Sequence, residues 1–233
     1  MKTYIWSIPT RLSHWLIAIG FAVAYILGDF EAYLNLHFAF GALVGTLIIF
    51  RIIFGIIGPK YSNFKDFPIG LKNQVAFIKT YFSGSHKYAG HNPSASVVML
   101  LILLVGLICS ISGYLRYAAE NNVLTIGINE EILGESHEIL ANLFLILVGV
   151  HLLGILSDTV FHNKTGTIQS IFTGYKNIES ENTRLNIFHK SFSWLWLIVP
   201  FIFFYMAYGL KITAKEKNNE GNKSELIKEA DDD

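Results

Sequence analysis

Cysteine is almost absent from this chain, whose 233 residues include only Cys109. A single cysteine excludes an intramolecular disulfide, an iron–sulfur cluster held by four thiolates and the CxxCH motif of covalent haem attachment. Cys109 lies within the apolar run MLLILLVGLICSISG, and we interpret it as a small packing residue. Any haem in this protein must therefore be held without a covalent bond to the chain.

Charged residues are also scarce. They make up 15% of the chain, against 52% apolar residues, and the mean hydropathy is +0.42. This composition lies outside the usual range of soluble domains. The formal net charge is zero, so the chain has no basic field that would attract nucleic acid. The composition predicts a protein whose solvent is the lipid bilayer and that has no nucleic-acid partner.

Five apolar runs each approach the ~20 residues that a helix needs to cross the hydrocarbon core. They cover residues 12–28, 37–58, 94–114, 137–161 and 192–209. Because a bilayer tolerates no unpaired backbone group, we expect five transmembrane helices in an all-α integral membrane bundle. The first run lacks a clear small-residue cleavage site, and we interpret it as a retained span. The polar tail at 211–233 is expected to be disordered.

Basic residues predict which side of the membrane each loop occupies. Lys2 and Arg11 precede the first run, whereas the loop at 29–36 has no Lys or Arg. The later loops repeat this alternation. The third loop has only Arg116 against four glutamates, whereas the loops before and after it are basic. The second loop holds Lys60, Lys65, Lys72, Lys79 and Lys87, and the fourth holds Lys164, Lys176, Arg184 and Lys190. The positive-inside rule places the N-terminus in the cytoplasm and, with five spans, the C-terminus outside.

Four histidines lie within or at the ends of the predicted helices, where ionisable side chains are costly and usually functional. His137 and His151 are 14 residues apart on the fourth helix, which is about 21 Å along its axis. His14, near the cytoplasmic end of the first helix, is level with His151. His37, at the outer start of the second helix, is level with His137. One imidazole pair near each membrane face is the arrangement that clamps two haem irons axially.

Other uses of these histidines stay open at this point. A histidine in a membrane helix often makes an interhelical hydrogen bond, and several of them can relay protons or sense pH in a haem-free transporter. A zinc site would more naturally use residues at i, i+3 or i+4 on one helix, or nearby carboxylates and thiolates. Neither pattern occurs here.

Two arginines lie at the depth of the cytoplasmic histidine pair. Arg51 follows His37 by 14 residues, and Arg11 lies about one turn before His14. They either pair with the propionates of an inner haem or extend to the lipid headgroups, and the sequence favours neither. Four further histidines fall in or beside cytoplasmic loops and are expected to be solvated: His86, His91, His162 and His189.

Several short motifs occur in order over residues 4–177. They are TRLSHW at 10–15, LHFAFG at 36–41 with FRIIFGIIG at 50–58, AGHNP at 89–93, His137 followed by His151 in VGVHL, and TGTIQSIFTGYKN at 165–177. In order and spacing the chain resembles the b-type cytochrome subunit of nickel–iron hydrogenases, a family grouped with bacterial cytochrome b561 and the membrane subunit of formate dehydrogenase.

The resemblance implies a four-helix dihaem core with two noncovalent haem b groups on the same four histidines. It implies an electron-transfer subunit of the bacterial inner membrane, with a periplasmic C-terminus, rather than a complete enzyme. Electrons from a periplasmic partner would pass from the outer to the inner haem and reduce a quinone near the cytoplasmic side. That partner would be a hydrogenase small subunit, a formate dehydrogenase or a c-type cytochrome. A free-standing quinol oxidase with outward electron flow would keep the same two haems, and the sequence does not determine the direction of electron flow.

The AGHNP motif precedes the third span at the cytoplasmic side. We hypothesise that His91 and Asn92 contact the quinone headgroup, and the alternative is that Asn92 and Pro93 simply start a helix. The fifth span has no histidine in its interior, so we assign it no haem and expect it to dock a partner subunit. The predicted organisation is a dihaem domain at 1–177, a linker with the fifth helix at 178–210, and the tail at 211–233.

Overall fold

The computed structural model describes residues 1–83, 88–121, 123, 127–162 and 165–210, so the predicted disorder of the tail at 211–233 lies outside the described residues. The elements are β1 (Thr3–Tyr4), α1 (Ile8–Leu27), α2 (Leu34–Ile57), α3 (Leu71–Thr80), α4 (Pro93–Glu120), α5 (Glu130–Phe161), α6 (Thr167–Thr173), β2 (Tyr175–Lys176) and α7 (Ile187–Tyr208). Five helices, α1, α2, α4, α5 and α7, are long and apolar enough to cross a membrane. The predicted all-α membrane bundle is confirmed.

Both α4 and α5 extend beyond their apolar runs at the end of the bundle where they are joined. Arg116 and Glu120 form an i,i+4 ion pair of 2.9 Å on α4, and the Asn129 side chain caps α5 by accepting a hydrogen bond from the Glu131 backbone N–H. Polar residues thus continue each helix past the hydrocarbon core. His137 consequently lies about two turns inside α5, and not at its first residue as the apolar run predicts.

The central helix of the bundle is α2. It packs along α1, α4 and α7, whereas α5 packs along α4. Of the most apolar window of each span, 56% is buried within the protein for α2 but only 6% for α5. Close approach of α2 and α4 depends on a glycine, because a Cβ on Gly45 would lie 2.8 Å from the Ser110 side chain. One cluster of buried apolar side chains joins these helices and consists of Val44, Ile48, Leu103, Val105 and Phe144.

The fifth span, α7, packs antiparallel to α2. The Phe192 ring lies 5.8 Å from Phe50, between ring centroids, and stacks nearly parallel to Phe54. At one end of this contact the His189 Nε2 lies 2.9 Å from the Ile57 carbonyl oxygen. At the other end the Asn35 amide donates to the carbonyl of Tyr208. Aromatic stacking and hydrogen bonds at both ends therefore attach α7 to the central helix.

The N-terminal end of the bundle, where α1 begins, is covered by polar segments. β1 and β2 pair antiparallel, with Thr3 opposite Lys176. The hydroxyl of Thr183, in the segment before α7, donates to the carbonyl of Ile5 at 2.6 Å. An ion pair of 2.7 Å joins Lys60 to Glu181. These contacts tie the first residues, the loop after α2 and the segment before α7 into one layer.

Candidate haem sites

The four histidines singled out in the sequence lie in two pairs. The ring centroids of His14 and His151 are 6.3 Å apart at the N-terminal end of the bundle. Those of His37 and His137 are 6.0 Å apart at the opposite end. Each pair joins α5 to a helix of the α1–α2 hairpin. The structure thus brings together the same partners that the comparison of depths selects.

The spacing within each pair fits two axial ligands of one metal ion. A metal–imidazole bond is about 2 Å long and the ring centre lies about 1 Å further away, so two rings on opposite sides of an ion have centroids about 6 Å apart. Within the described ranges, no group of three or more His, Cys, Asp or Glu side chains forms a metal site. Two ligands per site suit a haem, which supplies its own equatorial nitrogens, better than tetrahedral zinc.

Hydrogen bonds orient both rings of the His37–His137 pair. The His37 Nδ1 lies 2.8 Å from the Ala24 carbonyl oxygen. The His137 Nδ1 lies 3.1 Å from the Cys109 carbonyl oxygen and 3.0 Å from the Ser112 Oγ. A carbonyl only accepts, so Nδ1 carries the proton in each ring and Nε2 keeps the lone pair that binds a metal. Such an outer hydrogen bond is the usual companion of a metal-binding histidine.

Gly113 allows α4 to lie directly against His137. A Cβ on this residue would be 2.9 Å from the His137 Cε1 and 3.2 Å from its Nδ1. We therefore expect Gly113→Ala to displace the ring and to remove most of the haem at this pair, as measured by pyridine haemochrome. Gly154→Ala is the matched control, because a Cβ there meets no atom within 4 Å. Equal haem content in both variants would contradict a ligand role for this ring.

Arg51 is buried at the N-terminal end of the bundle, with 6% of its surface exposed. Its guanidinium donates to the Ser62 carbonyl at 3.1 Å, lies 3.8 Å from the Met99 sulfur and sits over the Phe64 ring. It therefore does not extend to the lipid headgroups. No carboxylate of the described residues pairs with it. A buried cation of this kind calls for an anionic partner.

Arg11 lies beside His14 at the same end of the bundle. Its guanidinium donates to the carbonyl of Phe172, while its Nε is buried without a hydrogen-bond partner among the described residues. The Nδ1 of His14 has no such partner there either. The His14–His151 pair thus lies among polar groups that the protein leaves only partly satisfied, in contrast to the hydrogen-bonded pair at the opposite end.

The expectation that the loop histidines are solvated is wrong for the three that the structure describes, and His86 lies outside the described residues. His91 lies between the rings of Trp6 and Phe67, at 4.8 and 4.9 Å between centroids. The Nε2 of His162 lies 3.1 Å from the Tyr81 carbonyl oxygen, and His189 contacts Ile57 as described above. The rings of His91 and His162 are held because the loops fold back onto the end of the bundle, whereas His189 is held by the packing of α7 on α2.

The His91 ring is a neutral group in the folded protein. Its pKa is held well below the ordinary value, because burial disfavours the charged form and because the cations Arg51 and Lys176 lie nearby. Its neighbour Asn92 caps α4, with the side-chain oxygen accepting a hydrogen bond of 2.8 Å from the Ala95 backbone N–H. Asn92 and Pro93 thus begin α4, as the alternative interpretation of the AGHNP motif states.

Lys176 is buried, whereas its position in the fourth loop predicts only a basic residue at the membrane surface. Its Nζ donates to the carbonyls of Gly90 and Tyr88 at 2.9 and 3.4 Å and lies over the Trp6 ring. The signal available in the sequence was its place in the motif at 165–177. Through these contacts Lys176 joins β2 to the segment that carries His91.

Burial lowers the pKa of Lys176 from 10.5 to about 8. Between these two pH values the unfolded chain binds more protons than the folded protein, so we expect the free energy of unfolding to rise with pH, by about 3 kcal/mol in full. Thermal unfolding in detergent at a series of pH values measures this slope. Lys176→Gln should remove it and Lys190→Gln, at an exposed position, should keep it. A flat profile for the unmodified protein would refute the assignment.

Comparisons with known proteins identify the family of this chain. A family model described as prokaryotic cytochrome b561 matches residues 5–174. A probable Ni/Fe-hydrogenase B-type cytochrome subunit from Rhodobacter capsulatus is 25% identical over 146 residues, which cover 50% of this chain and 55% of that protein. The chain thus spans about half the length of this curated relative. No solved structure matches significantly. The chain therefore belongs to the prokaryotic cytochrome b561 family of multi-pass membrane cytochromes, which transfer electrons with haem b.

Proposed function

We propose that this chain holds two haem b groups, one on each histidine pair, and carries electrons across the membrane between them. The observation that supports this most is the presence of two separate imidazole pairs, each with the ring spacing of axial ligands. Haem supplies the one-electron redox couple, whose chemistry belongs to the cofactor. The protein supplies the ligands, their orientation and the surrounding dielectric.

Apolar side chains pack midway between the two pairs. The rings of Phe21 and Phe144 are 4.3 Å apart, between centroids, and Phe144 is seven residues from both His137 and His151 on α5. Seven residues of α-helix span about 10 Å, so this aromatic contact lies midway between the pairs. Phe144 belongs to the buried core. The two sites are thus separated by packed apolar side chains rather than by a channel.

The predicted orientation assigns each histidine pair to one face of the membrane. The positive-inside rule places the N-terminal end of the bundle, with His14 and His151, in the cytoplasm. The opposite end, with His37 and His137, then faces the periplasm. Because a related chain is named as a hydrogenase cytochrome subunit, we assign the electron donor to a periplasmic hydrogenase subunit. The alternative electron donors are a formate dehydrogenase and a c-type cytochrome. In this proposal residues 1–177 form the dihaem domain, and α7 at 187–208 docks the donor.

The proposed acceptor is a quinone at the cytoplasmic end. A cavity of about 280 Å³ opens beside His91 and is lined by Lys60, Tyr61, Asp66, Pro68, Tyr88, Ala89, Gly90 and His91. Tyrosine, histidine and lysine offer hydrogen-bond donors to quinone carbonyl oxygens. Asn92 follows the lining residue His91 in the sequence. In this proposal its side-chain nitrogen donates to the quinone headgroup while its oxygen caps α4.

Asn92→Ser is the sharpest test of the acceptor site, because serine also caps helices but lacks the amide. We expect both haems to remain and the catalytic efficiency of quinone reduction to fall about tenfold, as expected for one lost hydrogen bond. Asn63→Ser is the matched control, because Asn63 also caps a helical turn at this end of the bundle. Quinone reduction at the unmodified rate by the Asn92 variant would remove Asn92 from the site.

The proposed function is tested first by counting haem. A dithionite-reduced minus oxidised spectrum with pyridine haemochrome quantification of the purified protein should give about two haems b per chain. One haem per chain would overturn the dihaem proposal while leaving the chain a cytochrome. Well-folded protein without haem would instead assign the four histidines to proton transfer in a transporter.

A further inference from the structure

The short helix α3 exposes a continuous row of large apolar side chains. Leu71, Val75 and Ile78 are 79%, 43% and 65% exposed. Their spacing of four and three residues places them within about 60° of one another around the helix axis. Phe82, in the 3₁₀ turn that follows, is 79% exposed. We call these four residues the α3 stripe. So much adjoining apolar surface on a short helix indicates that something covers it.

Contacts on another side of α3 fix the helix across the N-terminal end of the bundle. The Gln74 side chain donates to the carbonyl of Pro93, the first residue of α4, at 2.9 Å. The hydroxyls of Tyr81 and Ser157 are 2.7 Å apart, which joins the end of α3 to the last turns of α5. Phe77 is buried. The helix therefore lies across the ends of two spans, at the depth where hydrocarbon meets the headgroups.

The stripe is continuous with the surface of a membrane span. The rings of Phe82 and Phe161, the last residue of α5, are 5.3 Å apart between centroids. Phe161 is itself 51% exposed, and α5 is the span with the smallest share of its apolar window buried within the protein. A span surface of this kind is covered by lipid. The α3 stripe extends that surface, which identifies lipid as its partner.

Two lysines adjoin the stripe on the side away from the protein. Lys72 and Lys79 are exposed and lie about 80° around the helix from the centre of the stripe. Among the ion pairs of the described residues, neither lysine takes part. A lysine beside a buried apolar face extends its ammonium group to the headgroup phosphates.

We propose that α3 is an interfacial helix, with the α3 stripe in the acyl chains and with Lys72 and Lys79 bound to the phosphates of anionic lipids. Apolar burial provides the anchor, and the lysines provide a preference for anionic over zwitterionic lipid. The proposal depends only on the membrane location of the five spans. It is therefore tested independently of the haem content.

Spin labels on α3 test the position of the stripe. In a Cys109→Ala background reconstituted in lipid nanodiscs, Val75→Cys and Ile78→Cys carry labels in the stripe, and Asn73→Cys and Ala76→Cys carry control labels on another face. We expect the stripe labels to be relaxed more by oxygen and less by a polar nickel chelate than the control labels. Stripe labels open to the nickel chelate would overturn the proposal. Labels shielded from both reagents would also overturn it, since a protein partner would then cover the stripe.

Lipid selectivity tests the two lysines. Native mass spectrometry with equal amounts of phosphatidylglycerol and phosphatidylcholine measures the preference of the whole protein for the anionic lipid. Lys72→Gln with Lys79→Gln should lower this preference by about fivefold for each lysine. Lys72→Arg with Lys79→Arg, which keeps both charges, should retain it. An unchanged preference in the glutamine variant would overturn the headgroup contact.

Discussion

Replacing His137 with alanine is expected to remove one of the two proposed haems b and to leave the other in place. His137 supplies one of the two side chains of its pair, and the partner ring of His37 cannot hold an iron on both faces. The His14–His151 pair lies beyond the Phe21–Phe144 contact and shares no side chain with it. We therefore expect pyridine haemochrome to measure half of the haem of the unmodified protein. Electron transfer from a periplasmic donor to quinone should essentially stop.

The reciprocal variant and a matched control complete this experiment. His14→Ala should remove the other haem, so the two single variants should differ in reduction potential and α-band position. His189→Ala should keep both haems, because its ring contacts the Ile57 carbonyl and belongs to neither pair. Loss of both haems in either single variant would show that the sites are not independent. Retention of both haems in His137→Ala would refute the ligand assignment.

Replacing Arg51 with methionine is expected to have effects of opposite sign in the haem-free and haem-loaded proteins. Without haem, the buried guanidinium has no carboxylate partner among the described residues, so its removal should stabilise the protein by about 2 kcal/mol. With haem, we predict that a propionate is its partner. Methionine would then leave that carboxylate buried and unpaired, and haem binding at the His14–His151 site should weaken about 100-fold, or by about 3 kcal/mol.

Two measurements separate these effects. Thermal unfolding of haem-depleted protein gives the first, and haem titration with potentiometry gives the second, in which the potential of the inner haem should fall. Arg184→Met, at an exposed position before α7, is the control and should change neither quantity. Destabilisation of both forms by Arg51→Met would mean that the contacts with Ser62, Met99 and Phe64 are its whole role.

The spans and the pairing of their histidines follow from the sequence because both depend on simple lengths. A run of apolar residues predicts a span from the thickness of the bilayer, and the 14 residues between His137 and His151 convert directly into depth. The burial of His91 and Lys176 does not follow in this way. It depends on how β1, β2 and the loops fold across the end of the bundle, and no periodic pattern describes those contacts.

The exposed apolar face of the helix α3 does not follow from the sequence either. Its apolar residues are too few and too dispersed to stand out beside the five long runs. In the sequence, the loop around it is distinctive only for its lysines. The positions of Leu71, Val75 and Ile78 become informative once the helix is known to lie across α4 and α5. Likewise, nothing in the apolar run around Cys109 indicates that its carbonyl orients His137.

Each histidine pair takes one ring from the hairpin formed by α1 and α2 and one from α5, and this division constrains the order of assembly in the cell. When the first hairpin has entered the membrane, His14 and His37 are in place but neither has its partner. Both sites are completed by the same later event, the insertion of α5 beside the first hairpin. If each pair binds a haem as proposed, cofactor loading must wait for nearly the whole bundle to be synthesised, and a chain truncated before α5 would bind haem at neither site.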